Sequence, residues 1–153
     1  MLPWWELAVR PVLATLLGGL IGWEREERGK PAGLRTLALV SLAACVFVLA
    51  SEQAAIASGV PPEPARAMTG VAQGVGFLGA GAILQSKGEI RWLTTAAALW
   101  SVAAVGFACA EGMYALAVIG GGLVFVLLRW VAIVEDRWFR RREQDPKRKI
   151  RRP

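Results

Sequence analysis

Seven charged side chains crowd the stretch from Trp23 to Thr36, WEREERGKPAGLRT, between two long apolar runs. Glu24, Glu26 and Glu27 could offer two or three carboxylate oxygens to a hard cation such as Mg²⁺. Arg25, Arg28, Lys30 and Arg35 compete for those oxygens, and Mg²⁺ readily keeps its waters, so no committed metal site is expected. Ion pairing is the nearer chemistry. Glu24 and Arg28 are four residues apart and would meet on one face of a helix. Arg35 opens the next apolar run, where a helix dipole disfavours a cation, so it should have a carboxylate partner, Glu24 first. Arg91, ahead of another apolar run, makes a second basic corner. Polar groups in hydrocarbon are expected to face protein or water, which brings Thr36, Gln73, Thr94 and Thr95 into the same reading. With Glu24, Arg25, Arg35 and Arg91 they outline a candidate pocket. A plainer reading stands beside it: a solvated cluster that fixes topology, and threonine hydroxyls bonded to their own helix backbone.

Other chemistries find little support. The chain has no histidine, which removes His-based zinc sites, Ser-His nucleophile pairs and histidine proton relays. No nucleophile–base pair or redox ligand set is visible, so neither an enzyme nor a cofactor is expected. Cys45 and Cys109 are expected at different membrane depths, as apolar fillers rather than a disulfide. Gly74 to Gly81 contains G-x-G-x-x-G, but no strand precedes it and it lies inside an apolar run, so a dinucleotide site is rejected.

These residues must be positioned by membrane helices. The chain of 153 residues is 55% hydrophobic, with a mean hydropathy of +0.44. Five apolar runs fall at about Leu7–Trp23, Thr36–Ala57, Ala67–Gln85, Leu93–Ala110 and Met113–Val134. Each is near the ~20 residues that cross a bilayer core. The expected fold is therefore all-α, a polytopic helical bundle of about five transmembrane helices over residues 1–134. Residues 135–153 form a basic cytoplasmic tail, with nine basic and four acidic side chains suited to anionic lipid. Nucleic acid is a remote partner for such a tail, since no reading module accompanies it. With the N-terminus outside and the C-terminus inside, 16 of the 18 basic residues face the cytoplasm; Arg10 and Arg66 are the exceptions. Trp4 and Trp5 would then mark the outer interface, and Trp23, Trp92, Trp130 and Trp138 the inner one.

Small residues should set the packing. The third run carries Gly70, Gly74, Gly76, Gly79 and Gly81, which predicts a closely packed central helix and makes a homodimer plausible. Trp100, about two turns into the fourth run, is expected to fill the groove those glycines leave, with a buried partner for its N–H.

Three segments, GGLIGWEREERGKPAGLRT (Gly18–Thr36), GVGFLGAGAIL (Gly74–Leu84) and IRWLTTAAALW (Ile90–Trp100), together resemble the membrane domain of the MgtC/SapB family. The resemblance implies a non-enzymatic protein of the bacterial inner membrane, active in growth under magnesium limitation and in survival within phagocytes. Virulence-type members are linked to restraint of the F-type ATP synthase and to control of membrane potential. They also carry a soluble C-terminal domain, whereas this sequence runs into the basic tail. Gly70 stands where the family usually has Gln, and Trp92 where a Gly is usual. A regulatory protein that contacts a membrane partner is the favoured reading, and a small transporter or channel subunit for Mg²⁺ or another cation is the alternative.

Overall fold

A computed structural model describes residues 2–86 and 89–131. Five α-helices occupy them: α1 (Trp4–Glu27), α2 (Leu34–Ala57), α3 (Pro64–Ala82), α4 (Leu93–Ala110) and α5 (Tyr114–Val126), the last continued by a π-helical turn, Leu127–Val131. Four of them, all but α3, are long and apolar enough to cross a membrane. α3 includes Arg66, Thr69 and Gln73, and its glycines add little hydropathy. Large apolar side chains such as Leu16, Phe47, Phe77, Ile119 and Leu123 lie exposed around the bundle, a surface suited to lipid rather than water. The chain is a multi-pass membrane protein.

The helices run alternately between two ends. At one, here the Arg25 end, α1 finishes, α2 begins, α4 begins and the π-turn closes α5; α3 carries the chain back to it from the opposite, Glu6 end. Two apolar clusters stack along this axis. Ile21, Leu37, Ala44, Val75, Leu99 and Val102 fill the half nearer Arg25. Ala14, Val48, Val105 and Ala117 fill the other, together with Cys45 and Cys109. Both thiols are free and buried, in that one cluster.

Close backbone approach is confined to particular glycines. A Cβ on Gly18 would lie 2.6 Å from Ser41 Cβ, and one on Gly22 would lie 2.7 Å from Leu34 Cα, so these two let α1 and α2 touch. Gly106 brings α4 onto the Ser41 carbonyl of α2. The expectation for α3 is corrected here: only Gly79 meets a neighbour, Ala96 at 3.6 Å, while Gly70, Gly74, Gly76 and Gly81 face open space. Trp100 is also corrected. It is 56% exposed and points away from the core instead of filling a groove.

A two-stranded antiparallel hairpin, β1 (Leu84–Ser86) and β2 (Glu89–Arg91), links α3 to α4, with Leu84 opposite Arg91. Sequence patterning suggests only a short loop there, because three-residue strands leave almost no periodic signal. The hairpin delivers Trp92 to α4 as its N-cap at φ 71°, ψ 21°, the left-handed region. A bulky residue pays about 1 kcal/mol or more there, which accounts for the glycine the family resemblance implies at this position. Trp92→Gly is expected to stabilise the fold by about 1 kcal/mol. Trp92→Ala, which keeps its Cβ, should not; thermal unfolding in detergent distinguishes the two.

Candidate functional site

The charged stretch begins inside α1. Its helix continues past the apolar run because Glu24 and Arg28, one turn apart, face each other with Arg28 Nε 2.5 Å from Glu24 Oε1. The contact is one of charge rather than a directed hydrogen bond, and both Glu24 oxygens are buried without a hydrogen-bond donor. Arg28 spends Nη2 on the Arg129 carbonyl, 2.7 Å away in the π-turn, and Arg129 Nη1 returns to Glu27 Oε2 at 2.9 Å. These bonds tie the last turn of α1 to the end of α5.

Glu26 does different work. Its Oε2 accepts the Leu34 N–H at 2.9 Å, supplying the N-terminus of α2 with a carboxylate where Gly33 has no side chain to cap it. Gly29 and Ala32 both take positive φ, and that folds the connection tightly enough for Glu26 to reach. The expected Glu24–Arg35 pair is therefore replaced: Arg28 holds Glu24, Glu26 serves the helix end, and Arg35 is exposed.

Arg25 is the unusual member. It is 4% exposed, and its Nη2 donates to Thr95 Oγ1 at 2.6 Å, joining α1 to the first turn of α4. Its Nε–H is buried without an acceptor. Thr95 is 1% exposed, so the hydrogen bond of this buried cation goes to a neutral hydroxyl, while the countercharge it feels is the Glu24 carboxylate. Arg25, Arg28, Lys30 and Arg91 line one cavity of about 550 Å³ with Thr94 and Thr95, and among the described residues no carboxylate lines it. Trp92 and the apolar side chains of Leu127, Leu128 and Val131 line it as well.

Of the residues singled out from sequence, the structure thus gathers Arg25, Arg91, Thr94 and Thr95. Glu24 turns instead toward a smaller cavity of about 280 Å³ shared with Glu27 and Arg129. Thr36 and Gln73 are exposed and belong to neither. Among the described residues no group of three or more acidic or thiol side chains is placed to hold a metal ion.

A second polar assembly, at the Glu6 end, escaped the sequence reading. Arg10 Nε donates to Glu6 Oε2 at 2.6 Å, Tyr114 hydroxyl donates to the same oxygen, and Arg10 Nη1 donates to the Ala110 carbonyl. A cation on the last carbonyls of α4 suits its dipole. The i,i+4 spacing of Glu6 and Arg10 was the available signal. Nearby, burial first and the Glu52 carboxylate second hold the Glu111 carboxyl above its ordinary value of 4.5, with Arg10 opposing. The unfolded carboxyl titrates lower than the folded one, so between the two values the folded state holds more protons and stability falls as pH rises. Glu111→Gln is expected to remove that fall, as unfolding scans from about pH 4 to 8 would show.

Comparison with known proteins agrees with the motifs. Residues 12–137 match the MgtC family. The chain belongs to the MgtC family. It is 39% identical over 139 residues to an uncharacterized protein of Haemophilus influenzae, covering 87% of this chain and 58% of that one. It is 40% identical over 127 residues to the putative magnesium transporter YhiD of Escherichia coli, covering 80% and 59% respectively. To the protein MgtC of Salmonella typhimurium it is 45% identical over 101 residues, covering 66% and 42%. The chain thus spans about half the length of these relatives. No solved structure matches it.

Proposed function

We propose that the chain is a non-enzymatic regulatory protein of the bacterial inner membrane, serving adaptation to low magnesium through contact with a membrane partner. Its Arg25 end faces the cytoplasm and its Glu6 end the outside. Arg25, Arg28, Lys30, Arg35, Arg91 and Arg129 cluster at the first end, while at the second Arg10 is paired with Glu6 and Arg66 lies beside Glu63. α3 makes the fifth crossing in this reading, since its 19 residues rise roughly 28 Å between the two ends. The magnesium connection comes from family membership and the name of the Escherichia relative. The F-type ATP synthase is the partner implied by the resemblance, a second copy of the chain is another contact, and the tail 135–153, outside the described residues, meets anionic lipid.

The observation that carries regulation over transport is the charge of the larger cavity. Among the described residues four basic side chains and no carboxylate line it, a lining that repels a divalent cation instead of guiding one. A transport reading draws on Glu24, whose buried oxygens lie beside the smaller cavity without a hydrogen-bond donor. Liposomes containing the pure protein and a Mg²⁺ indicator decide between them. No flux above empty liposomes is expected; robust flux abolished by Glu24→Gln would overturn the regulatory reading.

A further inference from the structure

We infer that the cavity at the Arg25 end binds the phosphate group of an anionic ligand, an inference that rests on the regulatory reading of that end. A buried guanidinium whose one described hydrogen bond goes to a hydroxyl is energetically costly, and an arriving anion would offset that cost. Arg25 is more than nine-tenths buried, lines the cavity and keeps an Nε–H without an acceptor. Arg28, Lys30 and Arg91 add positive charge around it; Arg28 is partly engaged by Glu24, which itself lines the other cavity.

The start of α4 supplies neutral donors. Its first-turn N–H groups have no acceptor within the helix, and its N-cap, Trp92, makes no side-chain capping bond. Thr94 and Thr95 add hydroxyls at the same place. A helix N-terminus flanked by guanidinium groups suits phosphate oxygens, which accept several charge-assisted bonds at once. Opposite them, Leu127, Leu128 and Val131 form an apolar wall. That two-sided lining suits a phosphate carried on an organic group, and about 550 Å³ falls within the usual range for small-molecule sites. The phosphate could belong to a phospholipid headgroup or be free in the cytoplasm, since the same donors serve both.

The test uses the full chain in detergent and follows its unfolding temperature in two arms. One arm adds inorganic phosphate against chloride at equal ionic strength; the other adds phosphatidylglycerol against phosphatidylcholine. A rise in the first arm assigns free phosphate, and a rise confined to the second assigns a lipid headgroup. In either arm, Arg25→Gln and Thr95→Val should weaken the apparent affinity roughly tenfold or more, while Arg35→Gln, exposed and outside the cavity, should leave it unchanged. If Arg25→Gln fails to fold, Arg91→Gln takes its place with the same expected loss. The inference is overturned by no rise in either arm, by a rise that Arg25→Gln and Thr95→Val retain, or by one that Arg35→Gln abolishes. No rise in either arm, with liposomes still silent to Mg²⁺, would remove the ligand and leave the regulatory reading standing; Mg²⁺ flux would remove that reading itself.

Discussion

Gly106→Leu is expected to abolish recovery of folded, monodisperse protein from detergent, and Gly106→Ala to lower its stability by ~3 kcal/mol. Even the alanine Cβ would meet the Ser41 carbonyl oxygen of α2 and lie 3.1 Å from Ala44 Cβ. The obstacle is backbone, so no side-chain rotation relieves it, and α2 and α4 would have to separate. Their separation would disturb both apolar clusters, since each draws residues from α2 and α4. Gly74→Ala is the matched control. It faces open space, so its stability should change little or improve slightly, as a helical alanine is favoured over glycine by about 1 kcal/mol. Size-exclusion profiles and thermal unfolding read both outcomes.

Arg25→Met is expected to raise stability by roughly 1–3 kcal/mol while removing the cavity's binding capacity. Losing a buried cation from a well-paired site normally destabilises a protein by leaving its partner charge stranded. Here the hydrogen-bond partner is the neutral Thr95 hydroxyl, and the Glu24 carboxylate, whose charge Arg25 also feels, keeps Arg28. Methionine also fills much of the same length without a polar group to satisfy. A site that is less stable with its native residue than without it is what function, rather than packing, tends to leave behind. Chemical unfolding in mild detergent measures the gain, and the phosphate and lipid titrations measure the loss.

The helices were largely legible in the sequence because apolar length announces them. α4 matches the expected span, and α2 differs by two residues at its start. α1 extends beyond its apolar run at both ends, where i,i+4 pairs, Glu6 with Arg10 and Glu24 with the C-cap residue Arg28, brace it. Glycine roles were not legible. On a helix as glycine-rich as α3, no spacing marks which face meets a neighbour, whereas single glycines at positions 18, 22 and 106 carry the close contacts. The site was half visible. Arg25, Arg91, Thr94 and Thr95 could be gathered by depth alone, but partner choice depended on the loop. Once Gly29 and Ala32 turn the chain, Glu26 reaches α2, and the pairing proposed for Arg35 loses its reason.

The charged stretch of α1 and the threonine-led start of α4 form one site through Arg25 and Thr95. A double-mutant cycle in detergent, using Arg25→Met and Thr95→Val, tests it most directly. With Arg25 present, Thr95→Val strands a buried guanidinium and should cost about 1–3 kcal/mol. With methionine at position 25 the same change should cost close to nothing, giving a coupling of about 1 kcal/mol or more. Costs that add within about 0.3 kcal/mol would show that the two residues do not meet, and the site as described would not exist.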